Sequence, residues 1–113
     1  MTLPLNVFKT ITTITPTSPV GIYTAPVGYS SVVLLAQCSN ISSNTETISF
    51  AHRRNRTGIA VTTEILQNFP ISGNDAANLL TGKLILESGD SLVLSGSNNA
   101  NLKFIASILE TLS

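Results

Sequence analysis

The feature that most constrains this chain is a series of short segments in which apolar and polar residues alternate. Residues 45–52 show the alternation most clearly, because Ile48 and Phe50 fall on one face of an extended chain and polar or small residues on the other. Residues 7–14 are rich in β-branched and aromatic side chains, which suit a pleated surface. The alternation therefore predicts strands rather than helices over most of the chain.

Turn residues separate about eight such segments at regular spacing. The longest apolar run, residues 32–36, predicts a strand buried on both faces or at the centre of a sandwich. Residues 75–80, which Gly73 and Gly82 bracket, predict the one short helical turn. We therefore predict an all-β, single-domain β-sandwich or jelly-roll-like fold over residues 1–113, with about eight antiparallel strands and that helical turn.

The low content of charged residues limits the possible functions. Charged residues make up 11% of the chain, against about 25% in ordinary globular domains. A surface of Ser, Thr and Asn loses few hydrated ions when it is covered, so the composition favours a subunit that packs against neighbours. A neutral domain from an extracellular setting is the alternative. The net charge of zero argues against a nucleic-acid or anionic-membrane partner.

The start of the chain lacks the basic and apolar regions of a signal peptide, and no apolar run approaches the ~18 residues that span a bilayer. We therefore expect synthesis in a cytoplasm without export by the usual route.

Residues that could carry chemistry are few. Cys38 is the single cysteine and is expected to be a small buried hydrophobic residue, and the single histidine, His52, ends a predicted strand. The six acidic residues are scattered along the chain. Residues 88–90 predict a β-turn in which Gly89 takes a positive φ and Asp90 bonds the local backbone. We predict no enzyme, no catalytic residue, no cofactor and no metal site.

One cluster of charge stands out. Arg53, Arg54 and Arg56 are half of the six basic residues, and they lie in what the sequence predicts to be a hairpin tip. They are the candidate contact for an acidic partner. The alternative is a solvated hairpin tip without a partner.

Several segments, taken in order, resemble small virion structural proteins of tailed bacteriophages, notably those of marine cyanophages. The segments are residues 4–10, 22–37, 73–77, 82–92, 102–104 and 107–110. The turns at residues 23–28 and 89–92 recur in many phage proteins, and the order and spacing of the segments carry the match. The resemblance implies a β-sandwich present in many copies on the virion, at the capsid, neck, tail or fibre, and it supplies no catalytic residues.

From this we expect a non-enzymatic virion structural protein, of a capsid decoration (cement) type or a neck or tail component. Its expected partners are other virion proteins and copies of itself, without nucleic acid or membrane. Residues 1–19 are a candidate N-terminal arm, and residues 2–15 could be a strand exchanged with a neighbouring subunit. The alternative function is a receptor- or carbohydrate-binding domain of a tail fibre, which the small number of aromatic residues, two Tyr, four Phe and no Trp, disfavours.

Overall fold

The computed structural model describes residues 6–112, which form two antiparallel β-sheets around one apolar core. Residues 1–5 and 113, including the first part of the predicted arm, lie outside the described residues. The described strands are β1 (Asn6–Ile14), β2 (Val20–Thr24), β3 (Tyr29–Asn40), β4 (Glu46–Arg56), β5 (Ile59–Ile71), β6 (Asp75–Asn78), β7 (Leu84–Leu86), β8 (Ser91–Gly96) and β9 (Leu102–Leu112).

The order of the strands identifies the architecture. Sheet A has the order β1-β9-β3-β6, and β7 also pairs with β3. Sheet B has the order β2-β8-β4-β5. Because β6 and β7 pair with opposite ends of β3, they occupy one position of the sheet between them. With those two counted as one interrupted strand, the chain has eight strand positions and changes sheet between every consecutive pair except β4 and β5, as in a jelly roll. This order confirms the predicted fold class.

The core lies between the sheets and is built by alternation. Ile48 and Phe50 of β4 are fully buried, as their spacing predicted. Alternate residues of β9, from Leu102 to Ile108, point to the same core. The rings of Phe50 and Phe104 lie 5.7 Å apart between centroids and join sheet B to sheet A. Burial of these apolar side chains supplies the main driving force that holds the two sheets together.

The prediction for the apolar run 32–36 is only partly right. β3 lies inside sheet A, between β9 and the β6/β7 position. Val33 and Ala36 are buried, but Leu34 and Leu35 are 38% and 41% exposed. The pairing with β9 shifts between Val33 and Leu35, which marks a bulge. The run is therefore buried on one face of the strand, and part of it faces outward.

The predicted helical turn at residues 75–80 is wrong. Residues 75–78 form β6, which pairs with the end of β3, and the Leu79 N–H donates to the Ala36 carbonyl. Pairing with an open edge of sheet A supplies backbone hydrogen bonds that a helix of this length could not match. Gly73 does not bracket a helix either. A Cβ there would lie 2.5 Å from the Ser43 carbonyl oxygen, so the glycine allows two loops to approach closely.

Candidate functional site

The arginine cluster lies on a long hairpin. β4 and β5 are joined by Thr57 and Gly58, whose φ values are 52° and 79°. Positive φ at both central residues is typical of a type I′ turn, whose twist matches a β-hairpin. The predicted hairpin is therefore confirmed, but its tip is these two residues, and the arginines lie on β4.

Alternation along β4 divides the arginines between the two faces of sheet B. Arg54 and Arg56 lie on the same face as His52, and all three reach Asp90 at the start of β8. Arg53 lies on the opposite face and is exposed, and among residues 6–112 it makes no ion pair. The sequence predicted one cluster of three arginines, but the structure makes two of them a network within the chain.

Asp90 is the centre of this network, and its side chain is fully buried. Arg54 Nη2 donates to Asp90 Oδ2 at 2.7 Å, and Arg54 Nε lies 3.1 Å from Oδ1. His52 Nε2 lies 3.1 Å from Oδ2, and Arg56 Nη2 lies 3.3 Å from Oδ1. The Glu87 backbone N–H donates to Oδ2 at 3.0 Å. Every donor here favours the ionised carboxylate.

These contacts explain how a buried carboxylate stays charged. Burial alone would raise the pKa of Asp90, because it removes water from the ion. The hydrogen bonds from Arg54, from the Glu87 N–H and from His52 together outweigh burial, and the pKa of Asp90 falls from 3.8 to about 2. The same hydrogen bond to Asp90 raises the pKa of Arg54. The pair is therefore ionised throughout the physiological range.

The turn that presents Asp90 matches its sequence prediction. Gly89 has a φ of 88°, and the Asp90 N–H donates to the Glu87 carbonyl at 2.9 Å. Glu87 also accepts from Arg54 Nη2 at 2.8 Å. The predicted turn with a local Asp90 bond is confirmed. The sequence missed that this turn and the arginine hairpin would meet, since residues 54 and 90 lie far apart along the chain.

A second buried carboxylate, Glu110, lies on the inner side of sheet A and was not singled out from the sequence. It accepts from Tyr23 Oη at 2.5 Å, and Lys9 Nζ lies 3.3 Å away. Tyr23 Oη also lies 2.8 Å from Ser31 Oγ. Burial and the bond to Glu110 raise the pKa of Tyr23. One signal was available, because Glu110 continues the alternate positions of β9 that point inward.

One cross-strand row on the outer face of sheet A is apolar throughout. Strand pairing aligns Phe8 of β1, Leu109 of β9, Val32 of β3 and Ile85 of β7, and we call these four residues the apolar row. Phe8 and Ile85, at its two ends, are 74% and 62% exposed. A sheet face that meets water normally carries polar residues at such positions. Contiguous exposed apolar residues of this kind mark interaction surfaces.

The residues considered for chemistry are not brought together. Cys38 is fully buried in sheet A, as predicted, and burial raises the pKa of its thiol. His52 lies in sheet B, where it contacts Asp90. Within residues 6–112, no group of three or more His, Cys, Asp or Glu side chains could hold a metal ion. The same residues contain no helix long and apolar enough to cross a membrane.

Comparison with known proteins identifies similar folds. No protein-family model matches the sequence, and no curated protein matches it at a significant level. The VP2 protein of infectious bursal disease virus, from T=1 particles, matches with a TM-score of 0.58 and 11% identity over 95% of this chain. A second structure of that virus, the T13 viral particle, matches with a TM-score of 0.58 and 11% identity over 96% of this chain.

A bacterial structure also has a similar fold. A protein of Bacillus endospore appendages, which form disulfide-linked pili, matches with a TM-score of 0.50 and 18% identity, over 96% of this chain and 88% of that one. The present chain spans only about a third of the viral proteins, 32% and 31% of their lengths. At these identities the similarity concerns the fold, and it supports the sandwich described above.

Proposed function

We propose that this protein is a non-enzymatic structural subunit of a multi-copy assembly, and that the assembly is a bacteriophage virion. The observation that carries the proposal is the exposed apolar row on the outer face of sheet A. A protein that works alone in water gains nothing from such a face, whereas a subunit can bury it against a neighbour. The low charge of the chain points the same way.

The fold comparisons support the general part of the proposal. The viral neighbours come from virus particles, and the Bacillus neighbour comes from pili, so each belongs to an assembly of many copies. The bacteriophage part rests on the resemblance of the sequence to virion proteins of tailed phages. Within the particle we favour capsid decoration, because a compact single domain suits a cement role in many copies. A neck or tail position is the nearest alternative.

The decisive experiment is quantitative mass spectrometry of purified particles from the phage that encodes this chain, followed by cryo-electron microscopy. We expect the chain in tens to hundreds of copies per particle, with the outer face of sheet A covered by protein. Absence from purified particles would contradict the proposal. A glycan array tests the alternative of a receptor- or carbohydrate-binding fibre domain, for which specific glycan binding is the expected result.

Of the three arginines predicted to contact an acidic partner, only Arg53 remains a candidate. Arg54 and Arg56 already bind acids of their own chain, so replacing all three arginines would disturb the hairpin as well as any partner contact. Arg53 offers the cleaner test, because it is exposed and lies on the other face. We expect Arg53→Ser to lower incorporation into the assembly without changing the melting temperature. Unchanged incorporation would remove Arg53 from the interface.

The strand-exchange proposal concerns residues 2–15. In this chain β1 pairs with β9 along its whole length, and the Pro-containing residues 16–19 follow it. β1 is an edge strand of sheet A, so a neighbouring subunit could supply the same pairing. Deletion of residues 2–15 with light scattering tests this. An unchanged oligomer of folded protein would contradict the exchange.

A further inference from the structure

The outer face of sheet A approaches the size of a stable contact. Four strand positions about 4.8 Å apart, and about nine residues along each strand, give a face on the order of 600 Å² before side-chain relief is added. That approaches the roughly 800 Å² that each partner buries in a standard interface. Lys103 is the one charged residue at the outward-facing paired positions of β1, β3 and β9. Covering these positions therefore desolvates only one charged side chain.

We infer that the occupant of this face is a second copy of the chain, related by a two-fold axis that runs parallel to the strands between β9 and β3. This inference rests on the proposed assembly function, and it identifies one neighbouring subunit in that assembly as a second copy of the chain. Such an axis places β9 of one copy over β3 of the other, and β1 over β7. Phe8 then packs on the second copy's Ile85, and Leu109 packs on the second copy's Val32. Two-fold contacts of one patch with itself close the assembly into a dimer.

The pairing register favours a two-fold axis parallel to the strands over one that runs along the apolar row. The apolar row lies close to the end of the β9 pairing, two residues from Thr111. A two-fold axis along the row would therefore overlap only the last few residues of the two sheets. An axis parallel to the strands overlaps the whole face. It also places Lys103 over the second copy's Ser39, which lies in the same cross-strand row.

Thiol cross-linking tests the geometry directly. In a Cys38→Ala background, Phe8→Cys protein is mixed with Ile85→Cys protein and a short bifunctional maleimide, because facing sheets lie about 10 Å apart, beyond the reach of a direct disulfide. We expect a cross-linked dimer in the mixture and little in either protein alone, because two copies of residue 8 would lie on opposite sides of the face, about 14 Å apart or more. Thr62→Cys, on sheet B, is the control and should not cross-link. Cross-linking of Phe8→Cys with itself, or none in the mixture, would overturn the inference.

A second measurement separates the contact from folding and from the proposed function. Phe8→Ser with Ile85→Ser removes the exposed ends of the row, and we expect the dimer dissociation constant to rise about tenfold or more in sedimentation equilibrium. At concentrations where both proteins are monomeric the melting temperature should change little, since both side chains are exposed in the single chain. If the wild-type protein associates and this variant associates equally well, the inference fails and the assembly function stands. A wild-type chain that stays monomeric at all concentrations also overturns the inference, while the particle experiment still decides the proposed function.

Discussion

Asp90 and Glu110 are the two buried carboxylates of the described residues, and their surroundings differ. Asp90 is bound by Arg54, Arg56, His52 and the backbone N–H of Glu87. It therefore fixes the β4–β5 hairpin to the turn at residues 87–90. Glu110 has one cation, Lys9 of β1, and one phenol, Tyr23 of β2, so it joins edge strands of both sheets.

The difference shows where this chain uses its few charges. Both acids have partners within the chain, and each holds a piece of backbone in place. Neither has a vacant hydrogen-bonding position that the structure reveals as a ligand site, since no buried side-chain N or O atom of the described residues lacks a partner. The surface also leaves the apolar row exposed at both of its ends. The polar clusters therefore shape the domain, and the proposed contact with a neighbouring subunit is assigned to the outer face of sheet A.

The largest expected effect is at Asp90. Asp90→Ala should lower the free energy of unfolding by about 3 kcal/mol, because it leaves three basic side chains facing each other and a backbone N–H without an acceptor. Urea denaturation near neutral pH measures the loss. Glu64→Ala removes an exposed acid and is the control, with an expected change within about 0.5 kcal/mol. A loss at Asp90 no larger than the control would show that the network contributes nothing to stability.

The next effect is the pH dependence of the same network. The pKa of Asp90 is about 2 in the folded chain, against an ordinary value of 3.8 when the chain is unfolded, so the unfolded state binds a proton first as the pH falls. The stabilisation is complete above about pH 4 and is lost as the pH falls through about 2, a loss of about 2 kcal/mol at 1.36 kcal/mol per pKa unit. The difference in unfolding free energy between wild type and Asp90→Asn should shrink by that amount over this range. A constant difference would contradict the assignment.

The smallest effect is expected at the second acid. Tyr23→Phe removes the phenol that donates to Glu110 and leaves Lys9, which is half-exposed, as the remaining ion partner. We expect the free energy of unfolding to fall by about 1 kcal/mol, the usual contribution of one hydrogen bond. Thermal and urea denaturation measure it. A loss larger than that of Asp90→Ala would reverse the ranking of the two clusters.

The site could be predicted only in part from the sequence. The arginine hairpin and the turn at residues 88–90 were both visible as local patterns, and both exist. Their meeting was not visible, because nothing in either segment states that β8 lies beside β4. The same limit hid the contact of Glu110 with Lys9, whose positions on adjacent strands follow from the register of β1 and β9.

The sequence by itself determined the fold class, because alternation with period two and regular turns leave an all-β sandwich as the consistent solution. It also determined that Cys38, Ile48 and Phe50 would be buried. Only the tertiary structure decided that residues 75–78 would be a strand, since the open edge of β3 outweighs a weak local preference. Tertiary structure alone also aligned Phe8, Leu109, Val32 and Ile85, which lie on four strands, into one apolar row with exposed ends. Local patterns fix which face a residue takes, and strand order and register fix its neighbours.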